Sequence, residues 1–355
     1  MSETRRVVAV QLRVERGEVA RNLRHIEDIV GQAVREHDPD MLFLPESANA
    51  PNIAHPVMRD VTEPLVGPTL ATYRRLAREH GCTIGGGYLA VRGAHARGTY
   101  AVCEPDGSVH FHDKDQPSMW ENAYYSAGTD PGIVDTALGP VGVANGFEWL
   151  RSRTAARLRG RVRIVAGGMC FPSFPSWKAT RPWFWNREHA TMVELARETP
   201  GRMARVVGVP CVMPSHVGDI TMKTPFASWI DWPTITLGET QICDAQGTSL
   251  GSLSYADGEG YVCADLDWSG AAEPMNPVPP RFWMPVLPWT VHAVWYATNA
   301  QGRCSYALRH RRGEHWWQQP GAHDGSDLPD HVPAGMLPDP AGAPAAADDP
   351  SLSAA

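Results

Sequence analysis

The chain has 355 residues, 43% of them hydrophobic and 20% charged, with a formal net charge of −7. This is the composition of a soluble globular protein long enough to bury a large core, and its acidic balance argues against a nucleic-acid binder, which needs a basic stripe or patch. The seven cysteines are scattered, none in a C-x-x-C pair or a Cys/His cluster, so neither a disulfide framework nor a structural zinc site is indicated, and reduced cytoplasmic thiols are expected.

Residues 6–12 (RVVAVQL) read as a short buried strand. The apolar stretch there is too short for a signal-peptide core, and no run reaches the roughly 18 apolar residues of a membrane span. Leu23, Ile26, Ile29, Val30 and Ala33 then recur at helical spacing. MLFLPE, ending at Glu46, is a continuous apolar run, consistent with a strand buried on both faces. A second helix, TLATYRRLAREH, stops at Gly81, where a glycine cap belongs. CTIGGGYLAV is a strand, and TYAVCEPDGSVHFHDK a hairpin turning at residues 104–107. VGVANGF is expected as a strand ending near Gly146, SRTAARLRG as a short helix and VRIVAGGMC as a strand ending at Cys170. A helix is expected on either side of Pro200, then a strand at VPCVMPS, a hairpin turning at residues 244–247 and a last strand at EGYVCADLD. Helices alternating with strands, with hairpins interleaved, predict mixed sheets covered by helices. Residues 1–270 form the main domain in this reading. Residues 271–320, rich in Pro and Trp, form an ordered extension, and residues 321–355 are too poor in large apolar groups to pack and are expected to be disordered.

Two charged groups stand at strand ends that can converge on one pocket. Glu46 closes an apolar run, and a carboxylate there needs a partner or a task. Lys114 follows a hairpin strand. Attack on a nitrile or amide carbon builds negative charge on nitrogen or oxygen, which a lysine stabilises while a carboxylate moves the proton. His110, His112, His189 and His216 have no metal spacing and read as ordinary satisfied polar groups. Trp177, Trp183 and Trp185 cluster after Cys170, as core, interface or pocket wall.

These landmarks resemble the nitrilase, or carbon–nitrogen hydrolase, superfamily over roughly residues 7–267. LFLPES is similar to the strand bearing the family's catalytic glutamate, and KDQPSMWE, with Lys114, Pro117, Ser118 and Glu121, to the lysine motif of the nitrilase branch. GVANGFEW resembles the nucleophile elbow, with Gly142, Phe147 and Glu148 in place. The resemblance implies a four-layer αββα sandwich, a homodimer or larger homo-oligomer, and action on a small nitrile- or amide-type substrate without metal or organic cofactor. It also implies that Glu46 is the base, Lys114 the lysine of the triad and Glu121 the glutamate that orients it. Substrate contacts are assigned to Phe147, Trp120, Trp177 and Trp183; Glu148 reads as a structural ion-pair member. The departure is Gly146, which stands where the family has its cysteine. Covalent catalysis cannot be carried over to that position. The missing side chain is expected to leave room for water or a larger ligand. Three readings remain: non-covalent Glu/Lys catalysis on a C–N bond, a catalytically inactive relative that binds a small ligand or partner, or a nucleophile relocated to Cys170.

Overall fold

Within residues 4–12, successive apolar side chains enter two different cores. Val7 and Ala9 pack with Val141, Val143, Ile164, Ala166, Val212 and Ile242, whereas Val8 and Val10 pack with Leu23, Ile26, Leu70 and Tyr73. A strand covered on both faces in this way belongs to a layered sandwich. The computed structural model describes residues 4–51, 54–174, 182–314 and 324–337. In chain order the elements are β1 (Thr4–Leu12), α1 (Val19–His37), β2 (Met41–Phe43), β3 (Glu63–Pro64), α2 (Pro68–His80), β4 (Thr83–Arg92), β5 (His95–Cys103), β6 (Val109–Asp113), β7 (Ile133–Thr136), β8 (Gly139–Val143), α3 (Ser152–Leu158), β9 (Ile164–Ala166), α4 (Pro182–Val207), β10 (Cys211–Met213), β11 (Ser215–Lys223), β12 (Asp231–Leu237), β13 (Thr240–Cys243), β14 (Ser249–Leu253), β15 (Gly260–Asp267), α5 (Trp289–Arg311) and β16 (His331–Val332).

A ten-stranded sheet runs β12-β11-β1-β2-β4-β5-β6-β16, with β15 on β1 and β3 on β4; a six-stranded sheet runs β14-β13-β10-β9-β8-β7. The larger sheet carries α1 and α2 on its outer face, and the smaller carries α3 and α4. The result is the four-layer αββα sandwich. The parallel pairs β1–β2, β2–β4, β8–β9 and β9–β10 bring the ends of β2, β8 and β9 to one side of the sandwich. Among the described residues no helix is long and apolar enough to cross a membrane.

Several expectations hold in detail. Gly81 caps α2 in the left-handed conformation, φ 63°, and the turn at residues 104–107 closes the β5–β6 hairpin. Others are corrected. One helix, α4, runs straight through Pro200. The missing N–H costs about 3 kcal/mol in a helix interior. Packing offsets that cost, since Leu195, Ala196, Thr199, Met203 and Ala204 are all buried on that helix. Thr199 also donates its hydroxyl to Leu195 O at 2.6 Å, satisfying a carbonyl beside the break. The strand expected to end at Gly146 stops at Val143, and Gly146 opens a 3-10 turn through Leu150. The strand expected to end at Cys170 covers only residues 164–166. The β7–β8 and β11–β12 hairpins lacked a clear turn signal in the sequence.

Residues 324–337, expected within a disordered tail, instead lie along the free edge of the larger sheet; residues 321–323 and 338–355 lie outside the described residues. β16 pairs antiparallel with β6, Val332 is fully buried, and Asp330 O accepts from Phe111 N at 2.7 Å. Three apolar side chains, Leu328, Val332 and Leu337, suffice because the edge supplies the remaining hydrogen bonds.

Candidate active site

Three segments build the site, each leaving a strand end. The chain leaves β2 through Leu44, whose N–H donates to Gly85 O, and Glu46 follows. The Glu46 carbonyl accepts from His216 Nε2 at 2.7 Å. Burial pushes the His216 pKa down to about 4, so this imidazole is neutral and its proton sits on Nε2. Lys114 follows β6, held by its own N–H on Gly98 O and its carbonyl under Gly128 N. Ser118 and Glu121 have the spacing of a capping box and open the 3-10 turn Met119–Ala123; the Ser118 N–H donates to Glu121 Oε2 at 2.7 Å.

The three charged heads meet. Lys114 Nζ donates to Glu46 Oε1 at 2.6 Å and to Glu121 Oε2 at 2.9 Å. The Tyr125 hydroxyl donates to the same Glu121 oxygen at 2.7 Å. Glu46 and Lys114 are each about 1% exposed. Burial would lower the Lys114 pKa, but the carboxylates of Glu121 and Glu46 outweigh it and hold the ammonium well above the ordinary lysine range. Two glutamate side chains thus share one ammonium at the floor of the site.

Gly146 lies against this pair with φ 58°. A Cβ on its backbone would fall 2.5 Å from both Glu46 Oε2 and Lys114 Nζ. The expected room beside Gly146 is therefore absent, because the acid and the ammonium have drawn together into the space a side chain would need. Their attraction at short range and low local dielectric is the physical reason.

A second buried network fixes this floor. Glu148, three residues after Asn145 in a second capping-box spacing, accepts from Asn145 N at 2.8 Å, His112 Nε2 at 2.8 Å, Arg157 Nη2 at 2.9 Å and Asp115 N at 3.1 Å. It thereby ties the segment after Lys114 to the turn at Gly146. His112 also bonds Asp130 Oδ1 through Nδ1 at 2.5 Å. Burial opposes its charge, but Glu148 and Asp130 push its pKa up to about 10, and with an acceptor on each nitrogen it is an imidazolium. Burial likewise opposes the charge of Glu148, and Arg157 and His112 hold its carboxyl well below the usual range.

Above the triad is a cavity of about 60 Å³, room for several waters or one small polar group. Glu46, Lys114 and Glu121 line it, as do Trp120, Phe147 and Cys170. Trp183 does not line it; that side chain is 64% exposed at the start of α4. Trp177 lies outside the described residues. Sequence reasoning missed Met192, Met222, Val294 and Thr298 in the wall, along with His216 and Tyr125, while Trp232, one of the late tryptophans that suggest an aromatic-lined cavity, does line it. Val291, Trp295, Thr298 and Gly302 on α5 do recur at helical spacing, a signal that could have found that helix. Among the described residues no group of three His, Cys, Asp or Glu side chains could hold a metal ion.

Comparison with known proteins agrees with this fold. The model of the carbon–nitrogen hydrolase family matches residues 6–274. A carbon–nitrogen hydrolase from Helicobacter pylori G27 is similar in structure, with 18% identity and a TM-score of 0.62 over 75% of this chain and 90% of that one. Saccharomyces cerevisiae Nit3, of branch 10 of the nitrilase superfamily, gives 19% identity and a TM-score of 0.57 over 75% and 91%. An amidase from Nesterenkonia sp. AN1, bearing a covalent acetamide adduct at its active-site cysteine, gives 14% and 0.57 over 74% and 90%. At these identities the likeness concerns the fold. No curated protein matches the chain at a significant level.

Proposed function

The chain belongs to the carbon–nitrogen hydrolase family, and from that premise we propose that it acts on a small non-peptide C–N substrate, an amide or nitrile, without a covalent intermediate. Glu46 takes a proton from water as the water oxygen bonds to the substrate carbon. Lys114 holds the negative charge that develops on the carbonyl oxygen or nitrile nitrogen. For an amide, the C–N bond breaks as Glu46 returns the proton to the departing nitrogen, giving acid and amine or ammonia. For a nitrile, the proton goes to nitrogen and the product is the amide. Glu121, fixed by Ser118 and Tyr125, keeps Lys114 aimed. The observation that carries this reading is the contact of Lys114 Nζ with two carboxylates at the floor of a lined cavity. Without a thiol, one hard step is not divided into two easier ones, so turnover of ordinary nitrilase substrates is slow.

Two other readings have their own support. The closeness of Glu46 and Lys114 to the Gly146 backbone favours a ligand-binding relative without turnover, since no substrate atom fits between them. The place of Cys170 in the same cavity wall favours a relocated nucleophile. Product formation, ammonia from amides and carbamoyl compounds and the amide from nitriles, separates the three when measured for the parent, Glu46→Gln and Lys114→Met. Activity lost in both variants supports the proposal. Bound ligand with no product in any form supports the binder, and modification of Cys170 by a mild electrophile at neutral pH supports the relocated thiol. The proposal also includes a cytoplasmic homodimer or larger homo-oligomer; a monomer mass by light scattering would remove the oligomer.

A further inference from the structure

A second space adjoins the cavity above the triad and shares part of its wall. Trp120 and Trp232 meet edge to face, ring centroids 5.0 Å apart at 87°, and both line a second, outer groove of about 560 Å³. Val294 and Thr298 also line both spaces. On α5 the groove is bounded by Ala293, Ala297 and Gln301, each one helical turn from the next. Opposite them stand Thr224, Phe226 and Ala227, from the segment joining β11 to β12. The groove is open because α5 presents alanines there; Ala293 and Ala297 are both exposed.

Its chemistry is apolar. The polar side chains on its walls already hold partners: Thr298 donates to Val294 O at 2.6 Å, Thr224 Oγ1 accepts from Ala227 N at 2.9 Å, and Gln301 Oε1 accepts from Trp120 Nε1 at 2.8 Å. What remains is mostly aromatic and aliphatic surface, one shared wall away from a small polar floor. The inner space admits the reacting group and little more.

We infer that the substrate carries its C–N group on an extended apolar tail, and that this tail passes the Trp120–Trp232 pair into the groove between α5 and the β11–β12 segment. The inference rests on the reading of Glu46, Lys114 and Glu121 as the site of the C–N group. The wall shared with that site, Trp120, Trp232, Val294 and Thr298, selects the substrate itself as the occupant, rather than a second chain.

Calorimetric titration of the full chain with acetamide, butyramide, hexanamide and octanamide tests this, with 1-hexanol and 1-octanol as controls lacking the amide. The dissociation constant falls about two- to fourfold per added methylene, as burial of a CH₂ predicts, and each alcohol binds more weakly than the amide of equal tail. Ala297→Trp, filling the groove, flattens the dependence on length and leaves acetamide binding unchanged. Ala293→Phe does the same should the first variant fail to fold by circular dichroism. Equal affinity for all the amides overturns the inference while leaving the proposed function standing. Alcohols that bind as tightly as amides, with the length dependence intact, overturn the amide site and leave the tail groove. No binding by any probe, or a groove variant that only dissociates a dimer, overturns the inference.

Discussion

Substituting Gly146→Ala tests whether the acid and the ammonium occupy the place of a side chain. The substitution has two costs. A residue with a Cβ in the left-handed region costs roughly 1–2 kcal/mol. The new Cβ would also sit 2.5 Å from Glu46 Oε2 and Lys114 Nζ, where ordinary contact begins near 3.4 Å, so the two heads must retreat by 3.4 − 2.5 = 0.9 Å. Opening their 2.6 Å separation to 3.5 Å lowers the attraction from about 6.4 to about 4.7 kcal/mol at an effective dielectric near 20, a loss of about 1.6 kcal/mol. The expected destabilisation is therefore about 3–4 kcal/mol. Gly160→Ala supplies the reference, because Gly160 has φ 72° and nothing within 4 Å of its Cβ position. It carries the backbone cost alone, roughly 1–2 kcal/mol. Urea unfolding of parent and both variants gives the comparison from midpoints at constant slope. Equal losses at positions 146 and 160 would refute the closed pair.

Three other perturbations bear on the same framework. Lys114→Met removes the ammonium shared by Glu46 and Glu121 in a buried site and costs about 3–5 kcal/mol, read from the urea midpoint; an unchanged midpoint would contradict it. His112 has a folded pKa raised to about 10, so its stabilisation is complete below its unfolded value of about 6.5 and is lost as pH rises through 10. Melting curves across that window should therefore decline for the parent and stay flat for His112→Asn. Val332→Asp places a charge in a fully buried position of the edge strand and should release residues 324–337, giving new protease cleavage there; an unchanged digest would argue against that packing.

What the sequence disclosed depended on how local the cause was. Glu46 and Lys114 stood out because each follows a strand end, whereas Glu121 was singled out only by the resemblance of KDQPSMWE to the family's lysine motif. The α2 cap at Gly81 and the turn at residues 104–107 were legible from nearby residues. The continuity of α4 through Pro200 was not, because burial against the smaller sheet outweighs a local penalty. Nor was β16, whose two residues owe their conformation to the edge of β6. His216 sits in MPSHVG without any local signal; its role comes from the approach of β11 to the Glu46 carbonyl. The fate of the space at Gly146 depended on where two side chains from distant segments settle, which no spacing encodes.

The central claim concerns chemistry without a sulfur. Intact-mass spectrometry of the parent during incubation with excess octanamide, with ammonia measured in parallel, tests it most directly. The account predicts that ammonia accumulates while the chain keeps its unmodified mass throughout. A chain that gains the acyl group, with the adduct mapping to Cys170, would contradict it.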